Sequence, residues 1–246
     1  MKSYENYDPL FPDQPVVDRY LPIWADLPAF AAKPAFIWAG DDSTRTSITY
    51  AELHQSVQSI STRMSVQVKR GEPVVILCPP GLELVEIILA CQRSGLLSVP
   101  VSPPDLGLAA SVQHQHLVRV LTQTNPKVAV SSDGFIQNVR RYVSANSEGD
   151  DTTLSGLLKK LTWVSTETLK SVGGAVSLAS NEMHYDGCGA DDVYLIQYTS
   201  GATGIPKPVL ITAGSAAHNV RTARKAYDLH PNSVIVSWLP QYKNIL

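Results

Sequence analysis

Between residues 199 and 207 the chain gathers groups that can hold an anion: Thr199, Ser200, Gly201, Ala202, Thr203, Gly204, Ile205, Pro206 and Lys207 follow one another without interruption. Hydroxyls donate hydrogen bonds, glycines let successive backbone N–H groups approach and point at an anion, and a lysine adds positive charge. Five of the six residues from Thr199 to Gly204 are hydroxylated or glycine, a density that a plain connecting turn does not need. The chemistry this pattern suits is phosphate binding, and a triphosphate would use all of it.

Spacing excludes two other uses of the loop. A Walker A loop has its second glycine five residues after the first, followed at once by lysine, whereas position 206 here is proline. A nucleophile elbow needs glycines two residues on either side of its serine, and Ser200 has Tyr198 and Ala202 there. Ser200 is therefore not read as a nucleophile, and no catalytic residue is assigned. Histidines offer no metal set: His114 and His116 stand two apart on an expected helix and face different ways, and His184 with Cys188 forms no recognised ligand pattern. His218 is given no role.

The elements that must position the loop follow from periodicity and turn chemistry. An extended run at 35–39, a turn at Gly40-Asp41-Asp42 and a second stretch at 46–48 predict a hairpin. Thr49 with Glu52 makes a capping box, Ile48 and Leu53 sit where a hydrophobic staple packs, and Leu53, Val57, Ile60 and Met64 repeat at helical spacing. The apolar run 74–78, a buried helix over 82–93 and a second apolar run at 96–101 form a βαβ unit. The alternation continues with a helix at 109–124, a strand at 127–130 and a helix at 135–143, which predicts an α/β fold with a largely parallel sheet flanked by helices. Polar residues at 145–153 and the glycine pair at 173–174 read as surface loops. The last elements are strand 193–198, the loop, strand 209–212, helix 215–227 and strand 233–238.

Composition bounds the partners. With 20 Lys and Arg against 22 Asp and Glu in 246 residues, the formal net charge of -2 provides no field for nucleic acid or an anionic membrane. No apolar run approaches the ~20 residues a membrane span needs, and the N-terminus lacks an apolar signal core, so the expected location is cytoplasmic. Cys78, Cys91 and Cys188 are an odd number without Cys-x-x-Cys spacing and read as buried thiols in a reducing compartment.

The loop resembles the signature phosphate-binding motif of the adenylate-forming (AMP-binding) superfamily. Thr49-Tyr50-Ala51-Glu52-Leu53, Cys78-Pro79-Pro80-Gly81, Val99-Pro100-Val101-Ser102-Pro103-Pro104, Ile196-Gln197-Tyr198-Thr199-Ser200-Gly201 and Ser237-Trp238-Leu239-Pro240-Gln241-Tyr242 together are most similar to the N-terminal part of fatty acyl-AMP ligases and long-chain acyl-CoA synthetases. The resemblance implies a tail at 1–19 and an incomplete N-terminal, AMP-binding domain of an adenylate-forming enzyme at 20–246, without the C-terminal lid domain. It implies that a fatty acid carboxylate attacks the α-phosphate of Mg2+-bound ATP, giving acyl-AMP and pyrophosphate, before the acyl group passes to an acyl carrier protein or a multidomain synthase. Thr199, Ser200, Gly201, Ala202, Thr203 and Gly204 would wrap the phosphates, Lys207 would balance their charge, and Trp238 and Tyr242 would line the acyl channel.

Three departures from the family pattern matter. Ala202 replaces a frequent serine, Pro208 replaces a glycine, and after Tyr242 the chain reads Lys243-Asn244-Ile245-Leu246 where family members typically continue His-Asp-Met-Gly-Leu. The expectation is a truncated ligase whose own turnover is lost. A non-catalytic nucleotide- or partner-binding protein and a fragment of an acyl-CoA synthetase are the alternatives, and apolar surface left uncovered would favour aggregation or a partner.

Overall fold

The computed structural model describes residues 16–40, 43–108, 111–146, 150, 152–171, 188–200, 204–230, 233–239 and 241. In chain order the elements are α1 (Val16–Asp26), β1 (Pro34–Ala39), β2 (Arg45–Thr49), α2 (Tyr50–Gln67), β3 (Pro73–Leu77), α3 (Leu82–Arg93), β4 (Leu97–Pro100), α4 (Val112–Thr124), β5 (Val128–Ser131) and α5 (Asp133–Ala145). They continue with α6 (Leu154–Lys159), β6 (Thr162–Ser165), α7 (Thr166–Lys170), β7 (Val193–Tyr198), β8 (Pro208–Thr212) and α8 (Ala213–Ala226).

β1 and β2 form the expected antiparallel hairpin. The main sheet has the order β6-β5-β3-β4-β7-β8. All its pairings are parallel except β7 with β8. β3 lies at its centre, and the fully buried run Val74, Val75, Ile76 and Leu77 explains why: a strand covered on both faces loses its alternation. Val74 and Ile76 point into a core with Leu53, Ile60, Met64, Leu84 and Ile87, supplied by α2 and α3. Val75 and Leu77 point into a second core with Leu117, Val120, Val139 and Leu158, supplied by α4, α5 and α6. Two helical layers thus sandwich the sheet, as the alternation predicts.

Local chemistry sets the boundaries. The Thr49 amide donates to Glu52 Oε2 at 2.9 Å and the Glu52 amide donates to Thr49 Oγ1 at 3.2 Å, closing the capping box that starts α2. α4 ends on Asn125 in the left-handed region, just before Pro126. The segment at 154–170, not assigned from sequence, folds into α6, β6 and α7, with Thr153 and Ser165 as N-caps. α7 is bound to its neighbours by charge: Lys170 Nζ lies 2.5 Å from Glu86 Oε2 and 3.6 Å from Glu83 Oε1. Arg63 on α2 donates to the Thr168 carbonyl.

One expected element is corrected. Residues 233–238 are not a strand. Val234, Ile235 and Val236 are β-branched, but strand formation requires a partner, and the ladder of the described sheet ends at β8 without them. All three are exposed. The glycine pair at 173–174 lies outside the described residues.

Candidate functional site

β3, β4 and β7 run parallel, so their carboxyl ends share one edge of the sheet. In open α/β sheets that edge is where ligand crevices form. The glycine- and hydroxyl-rich connection at 199–207 leaves β7 there and returns as β8.

The antiparallel pair Tyr198↔Pro208 ends the β7–β8 ladder, and the next two residues close the loop at its neck. The Thr199 amide donates to the Lys207 carbonyl at 2.9 Å, and the Lys207 amide donates to Thr199 Oγ1 at 3.0 Å. Thr199 Oγ1 therefore accepts from the backbone while keeping its own proton to donate. Lys207 is exposed, its backbone held by the neck. Pro208, without an N–H, is accommodated as the first residue of the edge strand. Gly204 has φ +143°, a conformation side-chain-bearing residues rarely adopt, and no neighbour among the described residues stands where a Cβ would be.

Two contacts from distant parts of the chain support this neck. Tyr198 is buried, and its hydroxyl donates to Gln123 Oε1 on α4 at 2.9 Å. The His116 ring, also on α4, meets the Tyr198 ring edge-on, with centroids 5.1 Å apart and planes at 85°. Burial pushes the Tyr198 hydroxyl above its ordinary range, partly offset by Arg119. Burial, and then Arg119, hold His116 below the usual histidine value. On the other side, the Gly81 amide at the exit of β3 donates to Gln241 Oε1 at 2.8 Å, and Gln197 Nε2 reaches the Gln241 carbonyl at 3.4 Å. Gln241 thereby ties the end of the described chain back to the carboxyl edge.

Of the residues singled out from sequence, Thr199 and Lys207 are brought together, with Ser200 and Gly204 beside them. Gly201, Ala202, Thr203 and Tyr242 lie outside the described residues. Trp238 is 89% exposed and packs no apolar wall. His116, Gln123 and Gln241 were missed as supports, because each acts through a contact remote in sequence that no local pattern announces. His114 is a satisfied core residue, its Nε2 lying 2.9 Å from the Asp105 carbonyl. A separate open cleft of about 700 Å³ beside Asp105, Phe135, Arg141 and Tyr142 shares no lining residue with the loop. All three cysteines are buried.

The fold is a mixed α/β sheet, largely parallel, with the glycine- and hydroxyl-rich connection at its carboxyl edge closed by the Thr199–Lys207 neck. The match to the AMP-binding enzyme family model covers residues 24–245, and the chain belongs to that family. Among its relatives is a medium-chain-fatty-acid–[acyl-carrier-protein] ligase of Moorena producens, 25% identical over 199 residues, covering 80% of this chain and 31% of that protein. Another is an acetyl-coenzyme A synthetase of Vibrio cholerae, 28% identical over 245 residues, covering 91% of this chain and 35% of that one. The solved fatty acyl-adenylate ligase of L. pneumophila, in complex with acyl adenylate and pyrophosphate, superposes with a TM-score of 0.69 at 21% identity over 93% of this chain and 36% of that one. That likeness supports the fold, and the chain spans about a third of the length of the relatives it matches.

Proposed function

We propose that this chain supplies the phosphate-gripping part of an ATP-dependent fatty acid ligase. In the parent reaction a carboxylate oxygen attacks the α-phosphorus of ATP, the bond from that phosphorus to the bridging oxygen breaks, and acyl-AMP and pyrophosphate result. The observation that carries this reading is the Thr199–Lys207 neck, which fixes the Thr199 hydroxyl and the Lys207 backbone at the mouth of a glycine-rich loop. Donors fixed before the ligand arrives stabilise phosphate charge without reorganisation. Thr199, Ser200, Gly201, Ala202, Thr203 and Gly204 form the cradle, with Lys207 as its counter-charge, and Trp238 and Tyr242 belong to the acyl side.

Mg2+ would enter with the ATP phosphates, whose charge it neutralises. The acyl acceptor is an acyl carrier protein or a synthase domain bearing one, by analogy with the carrier-protein ligase of Moorena producens. An acyl-CoA synthetase differs from this only in the acceptor. No helix among the described residues is long and apolar enough to cross a membrane.

A second reading, a nucleotide-binding protein without turnover, is favoured by one feature: Lys243-Asn244 stand where the resembling ligases have His-Asp. Both readings expect Mg-ATP to bind and Lys207→Ala to abolish binding. The test is calorimetric titration with Mg-ATP, alongside pyrophosphate release and trapping of acyl-AMP with a panel of fatty acids. Binding without pyrophosphate release is the expected result for this chain alone. Release that disappears in Lys207→Ala establishes a working ligase, and no Mg-ATP binding by the wild type overturns the phosphate reading.

A further inference from the structure

We infer that His116 and Gln123 on α4 are positioning residues for the phosphate loop, acting through Tyr198. The inference rests on the phosphate-loop reading above for its functional meaning, but its geometry stands apart from it. Tyr198 is the last residue of β7 and the direct neighbour of Thr199, the residue that closes the neck. Two α4 side chains hold it at once: Gln123 accepts its hydroxyl proton at 2.9 Å, and His116 braces its ring edge-on at 5.1 Å. A tyrosine held at both ring and hydroxyl cannot rotate without breaking one contact, so the Cα that leads into Thr199 is fixed from outside the sheet.

The β7 strand needs such a brace because its inner ladder is thin. β4 and β7 are registered at Ser98↔Leu195, supplemented by Ser98 Oγ donating to the Tyr194 carbonyl at 2.8 Å, near the start of β7. The loop end of β7 thus gains from α4 a restraint its parallel neighbour does not supply. His116 also carries a sign that stability alone did not select it. Its Nδ1 is buried and has no hydrogen-bond partner among the described residues. A buried polar atom left unsatisfied is unfavourable, and an apolar ring would brace Tyr198 without it.

The test compares His116→Ala, His116→Phe and Gln123→Ala with the wild type by residue-resolved amide hydrogen exchange. Gln123 is exposed, so its substitution does not threaten the core. In His116→Ala and Gln123→Ala the amides of Thr199 and Lys207 exchange about tenfold faster or more, while those of β3 and β5 keep their protection. His116→Phe restores the ring and hence the protection. Affinity for Mg-ATP, measured on the same proteins, falls in the same order. Unchanged exchange at Thr199 and Lys207 overturns the inference, as does acceleration shared equally by every strand or a His116→Phe protein that behaves like His116→Ala. Selective acceleration in a protein whose wild type binds no Mg-ATP keeps the brace and discards the phosphate reading.

Discussion

The two halves of the sheet are built by different rules. From β3 to α5 nearly every inward side chain is buried on both sides of the sheet, and Val74, Val75, Ile76, Leu77, Leu84, Ile87 and Leu117 have no measurable exposure. From β8 onward burial almost ceases. In α8 Ala213 is buried, whereas Val220, Tyr227 and the run Val234–Val236 face outward, as does Leu210 on β8. The first half holds the fold together, and the second borders the loop proposed to grip phosphate.

The sharpest way to break this contrast is to remove the same side chain from each half. Leu84→Ala on α3 leaves a cavity in the first core and costs about 2–5 kcal/mol, measured by urea unfolding. Leu210→Ala on β8 costs no more than ~0.5 kcal/mol because its side chain is already mostly in water. Thiol labelling gives an independent reading. Burial pushes Cys78 and Cys91 up to about 12, so neither reacts in the folded state. Their labelling accelerates in Leu84→Ala and stays slow in Leu210→Ala. Equal losses in the two variants would erase the distinction between halves.

The second effect is smaller and electrostatic. Lys170→Ala strands Glu86, whose side chain is 8% exposed, with Ser56 as a remaining donor. Leaving that carboxylate without its cation costs about 1–3 kcal/mol, and Glu86→Gln in the same background recovers part of the loss. Urea unfolding of the single and double variants checks it. No recovery would mean that α7 is held by Arg63 and Leu169 rather than by charge.

How much of this division could be read in the sequence depended on the range of the interaction. The Thr49–Glu52 box, the β3 run and the α3 helix are written within a few residues, and the structure matches them closely. The loop at 199–207 is read from its own composition, but residues 201–203 lie outside the described residues and its phosphate role stays a proposal. α6, β6 and α7 are four to six residues each, shorter than one clear period of either kind, and their caps at Thr153 and Ser165 were the one local sign. Residues 233–238 mislead for the opposite reason: Val-Ile-Val states a preference, but only a partner makes a strand. Gln123 and Gln241 act across separations of 75 and 160 residues, and nothing in a glutamine or its neighbours reveals such a contact.

The smallest expected effect uses a histidine from each of the two helical layers that cover the sheet. His54 on α2 and His116 on α4 each bury an Nδ1 with no partner among the described residues. Burial lowers both below the ordinary histidine value, helped by Arg93 and opposed by Asp26 for His54, and helped by Arg119 for His116. A group whose folded pKa is depressed contributes stability above its unfolded pKa, here about 6.5. That contribution is lost as the pH falls from there through the folded value, because the unfolded chain takes up the proton first. Stability therefore declines as the pH is lowered from 7 toward 5.5, before carboxylates such as Glu72 and Glu167, held below their usual range, begin to titrate. His54→Leu and His116→Leu each flatten part of that decline, and thermal melts at pH 7 and pH 5.5 measure it. Only His116→Leu should also loosen the Thr199 and Lys207 amides. If His54→Leu loosens them equally, the two helical layers respond as one cooperative unit and the neck owes its order to the whole core rather than to α4.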